Sequence, residues 1–128
     1  MGYTKDKRPE LNYGTRNAPV KTETTTANLL NVGVSIVKST ATLRKFALNA
    51  PTLGVIKTIF CTQATTSLLA KVNLTGGASI FPNVGSGSTI KSVKFNHPNQ
   101  SITLQGLSSV RWGVLGTNNS PVLSTSSG

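Results

Sequence analysis

From residue 29 onward, apolar and polar positions alternate with period two in short runs, the spacing that sends successive side chains to opposite faces of a β-strand. Val32, Val34 and Ile36 alternate with polar or small neighbours, and Arg44 and Phe46 alternate against Leu43 and Lys45. Residues 53–61, LGVIKTIFC, form a longer run rich in β-branched side chains, the kind that packs well on a pleated surface. Further strands are predicted over 68–74, 78–81, 89–95 and 121–124. Turn-forming clusters separate them: 49–52 with Pro51, the Gly76-Gly77 pair, 82–88, and 96–100 with Pro98.

The clearest unit is residues 101–116, SITLQGLSSVRWGVLG. Ile102 and Leu104 alternate with polar neighbours, the run breaks at 106–109, and Val110, Trp112 and Val114 resume it, which is a β-hairpin signature. Trp112 is the one tryptophan, and a side chain of that size buries on the order of 150–250 Å². It is assigned as the core anchor. No stretch keeps a helical period. Residues 64–70 come nearest, and their threonines and lack of capping charge allow a single helical turn at most. The expected fold is therefore all-β: a β-sandwich, jelly-roll-like, or a small barrel.

Residues 1–26 differ from this pattern. They are rich in charge and turn formers and hold few large apolar side chains, too few for a core. Tyr3 and Tyr13 are interleaved with cations there, and amphipathic rings on a polar segment suit the gripping of a surface. The chain is thus divided into an extended N-terminal arm, 1–26, and an all-β body, 27–128. The arm's candidate contact residues are Tyr3, Lys5, Lys7, Arg8, Leu11, Tyr13, Arg16 and Lys21.

Charge sharpens the division. All three acids, Asp6, Glu10 and Glu23, lie within the first 23 positions, whereas the body carries eight cations and no carboxylate side chain. A body so unbalanced is drawn to something negative. Only 12% of residues are charged, against about 25% in an average domain, so the remaining surface is polar and neutral.

Candidate chemistry is sparse. The body's one histidine, His97, sits in the turn sequence NHPN, and acid–base catalysis needs several such groups within reach of one another. Cys61 is the single cysteine, which excludes an internal disulfide and a cysteine metal cluster. No metal or cofactor is expected, and no enzyme activity or small-molecule substrate. The sequence Gly85-Ser86-Gly87-Ser88 imitates the start of a phosphate loop without its lysine and hydroxyl pair. Three Asn-x-Ser/Thr triplets, at Asn73, Asn99 and Asn118, are at the level chance supplies in so Asn- and Thr-rich a chain. No signal peptide, lipidation signal or membrane span is read. The five body aromatics, Phe46, Phe60, Phe81, Phe95 and Trp112, all lie in apolar strand contexts and are assigned to the core. Nucleic-acid binding would then rest on charge alone, without stacking rings, and is not expected.

Residues 48–60, LNAPTLGVIKTIF, followed by STIKSVKF and SITLQGLSSVRWGVL, resemble a β-rich module of tailed-bacteriophage virion proteins. The match is carried by Pro51, Gly54, Lys57, Ile59, Ile90, Phe95, Ser101, Thr103, Leu104 and Trp112 over about half the chain. The resemblance implies a non-enzymatic structural role as a capsid decoration or cement protein. It further implies a homotrimer on the outer capsid surface of the virion, made in the host cytoplasm, with the major capsid protein as partner. A receptor- or host-surface-binding fibre or tail module is the alternative, and a basic nucleic-acid-binding protein the second.

Overall fold

A computed structural model describes residues 20–23, 28–40, 43–84 and 88–126. All eleven strands among these belong to two sheets, and no helix is present among the described residues. The strands are β1 Val20–Glu23, β2 Gly33–Lys38, β3 Arg44–Leu48, β4 Ile56–Gln63, β5 Ala70–Leu74, β6 Ser79–Val84, β7 Ser88–Ile90, β8 Ser92–Phe95, β9 Gln100–Gly106, β10 Arg111–Asn118 and β11 Val122–Ser124. The large sheet runs β1-β2-β4-β9-β10-β6-β7 and the small sheet β11-β8-β5-β3. The protein is an all-β sandwich of two mixed sheets.

The period-two pattern fills the space between the sheets. Along β2, β5 and β9, buried and half-buried positions alternate without a break. The large sheet sends inward Val37, Ile59, Cys61, Ile80, Ile102, Leu104 and Trp112, and the small sheet meets them with Phe46, Leu48, Val72, Leu74, Val93 and Phe95, all in one buried cluster. Trp112 is fully buried and its indole Nε1 donates to the carbonyl of Asn49 at 3.1 Å. That bond satisfies the one polar atom of the largest core side chain.

Topology departs from a series of hairpins. The chain passes from the large sheet to the small one twice, β2 to β3 and β4 to β5, with one return between them. β2 pairs parallel with β4, and β3 parallel with β5. An incomplete earlier circuit lies beside these: β1 is parallel to β2, and Asn28 forms a parallel bridge with Ala47. β8 and β9 then return antiparallel on β5 and β4. The hairpin over 101–116 is present as β9 and β10, with Trp112 opposite Gly106. Gly106 lacks a side chain because the Thr52 carbonyl and Pro51 occupy the place a Cβ would take.

Three expectations change. The predicted 89–95 strand is two strands in different sheets, divided at Lys91, where the chain crosses and Lys91 N donates to Ser124 O. Over 64–70, where the sequence allows one helical turn at most, the chain is a loop within that limit: the amides of Thr65 and Leu68 bond each other's carbonyls and Thr65 Oγ1 accepts from Leu68 N, so the threonine hydroxyl competes successfully with a helical bond. Phe60 is half-buried on the outer face of the large sheet and Phe81 is 49% exposed, so only three of the five body aromatics belong to the core. Finally, the segment assigned to the arm contributes Val20–Glu23 to the large sheet as its edge strand.

Candidate anion-binding face

Lys21 is exposed on β1. The other arm candidates, Tyr3, Lys5, Lys7, Arg8, Leu11, Tyr13 and Arg16, lie outside the described residues, as does the Gly85-Ser86-Gly87 sequence. What the structure brings together is a different set of cations, on the small sheet.

Inward positions of β3, β5 and β8 are held by Phe46, Val72 and Val93, so the intervening residues face outward. Register then decides which of these stand side by side. Lys45 is the partner of Lys71, and Lys71 the partner of Lys94. Three ammonium side chains thus form one row across three adjacent strands. At about 4.7–4.9 Å between strands, the row spans roughly 10 Å at the level of the backbone. Val122 of β11 continues it beyond Lys94. The adjacent row on the same face holds Ala47, Asn73, Ser92 and Ser124, side chains far shorter than lysine.

Like charges directly opposite one another on a sheet repel, and the row shows it. Partial burial, then Lys94 and then Lys45, hold the Lys71 ammonium below the ordinary lysine value, the central residue feeling both neighbours. Because no Asp or Glu follows Glu23, no carboxylate side chain of the body can neutralise the row. An external anion can.

Two other cations of the body are engaged elsewhere. Lys57 is fully buried at an inward position of β4, donating to Ser35 Oγ at 2.6 Å and to Val32 O at 3.5 Å. Its aliphatic stem fills core volume while its head finds oxygen. Arg111 lies over the Phe81 ring, 5.2 Å from its centroid, beside a shallow open cleft of about 280 Å³ lined by Phe81, Leu107, Ser108 and Arg111.

Among the described residues, the candidate chemical groups stand apart from one another. His97 is exposed with its Nδ1 2.8 Å from Asn96 Oδ1, and no group of three His, Cys, Asp or Glu occurs among the described residues. Burial pushes the Cys61 thiol up from its ordinary value, with a backbone hydrogen bond at Gln63 acting the other way, so the reactive thiolate is disfavoured. No helix among the described residues is long and apolar enough to cross a membrane. Sequence reading located each lysine on a strand but not the row, since parity is local and register is not. The arrangement is suited to holding an extended anionic surface. No protein-family model matches this chain, and no curated protein matches it.

Proposed function

We propose that this protein is a non-enzymatic adhesion protein of a phage particle that decorates and stabilises the capsid by docking its basic face on an acidic patch of the major capsid protein. The observation that carries the reading is the Lys45–Lys71–Lys94 row in a body without a carboxylate side chain. Its support from sequence is the resemblance of residues 48–116 to virion surface modules. Residues 1–26 add a second set of contacts to the same shell, and assembly as a homotrimer multiplies weak contacts into avidity.

Co-sedimentation with empty heads lacking the protein tests this. Wild type is expected to sediment with the heads at low ionic strength and to be released as salt screens the contact. The variant K45M/K71M/K94M is expected to remain in the supernatant. Binding of that variant at wild-type level overturns the reading. Binding to intact bacterial cells but not to heads favours a host-surface module instead.

A further inference from the structure

We infer that the Lys45–Lys71–Lys94 row is one site, and that it takes an extended acidic peptide segment of a protein partner laid across β3, β5 and β8. This rests on the adhesion reading and names its occupant.

Three observations select that chemistry. The three ammoniums stand in register on neighbouring strands, so a chain crossing the strands meets them in succession. Over roughly 10 Å an extended peptide, rising about 3.3 Å per residue, passes about three residues. Acidic side chains at alternate positions then reach lysines at both ends of the row. In the adjacent row Ala47, Asn73 and Ser124 are shorter than lysine, and Ser92 is fully buried with its hydroxyl donating to Ser126 O, so the lysine heads stand above that row. Finally, no described aromatic side chain faces outward on this sheet, because Phe46 and Phe95 point into the core and Phe60 and Phe81 belong to the other sheet. A stacking platform for bases is therefore missing.

The row also makes binding and stability oppose each other. In the free protein the lysines repel, and an acidic segment removes that repulsion on arrival. Neutralising the central lysine should accordingly stabilise the free protein and weaken the complex, a pairing that a merely structural lysine does not give.

The test uses the full chain and fluorescein-labelled decaglutamate at low ionic strength, followed by anisotropy, with thermal unfolding measured in parallel. K71M is expected to weaken binding at least tenfold while raising the melting temperature. K45M and K94M should each weaken binding several-fold, and K38M, on the other sheet, should leave it unchanged. Unlabelled duplex DNA should compete less well than decaglutamate per unit charge. If decaglutamate does not bind while heads are still held through the same lysines, the peptide assignment is wrong and the adhesion reading survives. If decaglutamate binds as expected and heads are not held, this site stands and the adhesion reading falls. Tighter binding of duplex DNA with the same lysine dependence assigns the row to nucleic acid and overturns the proposal, as does a K71M variant that loses stability and keeps its affinity.

Discussion

The outer faces of the two sheets share one core and present opposite surfaces. On the large sheet, Thr58 and Thr103 are cross-strand partners joined through their hydroxyls at 3.0 Å. Val34, Ile36 and Phe60 stand half-buried around them. Described cations with positions on that face lie toward its margins, Lys38 at the end of β2 and Arg111 folded over Phe81. On the small sheet, the cross-strand partners at the centre of the face are lysines. Cross-strand pairs of the first kind stabilise a sheet by about 0.2–1 kcal/mol, and pairs of the second kind weaken it. The difference teaches that inward positions are constrained by the core alone, while outward positions are free to sacrifice stability. The small sheet does so where an anion can restore it.

Reversing the row should produce the largest effect. The variant K45E/K71E/K94E is expected to lose at least a hundredfold in affinity for heads, because repulsion replaces attraction at every contact. The matched change on the large sheet, T58V/T103V, should leave head binding intact. Equal loss from both variants would show that the faces are not functionally distinct.

A change in the shared interior should affect both faces alike. Gly106→Ala forces a methyl against the Thr52 carbonyl and Pro51, and overpacking of this kind costs about 1–3 kcal/mol. Urea unfolding should show a lower midpoint, with lysine-dependent binding retained in the fraction that stays folded. An unchanged midpoint would mean that the 51–54 turn does not depend on its contact with β9.

Alkaline titration sharpens the comparison further. Lys71 holds its proton less tightly in the folded protein than at the ordinary value of 10.5, so the folded state binds fewer protons than the unfolded state between the two values. Stability from this residue therefore rises with pH through that window. The penalty is present in full below the folded value and gone above the ordinary one. In urea midpoints measured against pH, K71M should lack this rise and T58V/T103V should keep it. Loss of the rise in the threonine variant instead would place its origin on the wrong sheet. The smallest effect belongs to T58V/T103V itself, about 0.2–1 kcal/mol of stability, readable as a small drop in its urea midpoint at neutral pH.

Much of the fold was legible because period-two alternation is a local property. It placed Ile102, Leu104 and Trp112 on one face of a hairpin, and it put Lys45, Lys71 and Lys94 on strands without assigning them a common face. It misled where a local pattern spans a non-local event. Residues 89–95 keep alternating through Lys91, although the chain changes sheets there. Phe60 and Phe81 look like core residues by composition, yet they occupy outward positions, since parity rather than hydrophobicity decides which face a strand residue takes. Lys57 errs the other way: charge reads as surface, but its place between inward neighbours buries it beside Ser35.

The sequence alone determined that the protein is all-β, that its acids are confined to the first 23 residues, and that its body must carry positive charge without a side-chain counterion of its own. Tertiary structure decided where that charge goes. The parallel β3–β5 pairing and the antiparallel β5–β8 pairing set a register that no local pattern encodes, because strands adjacent in the sheet are separated along the chain by the circuit through the other sheet. That register converts three scattered lysines into one row.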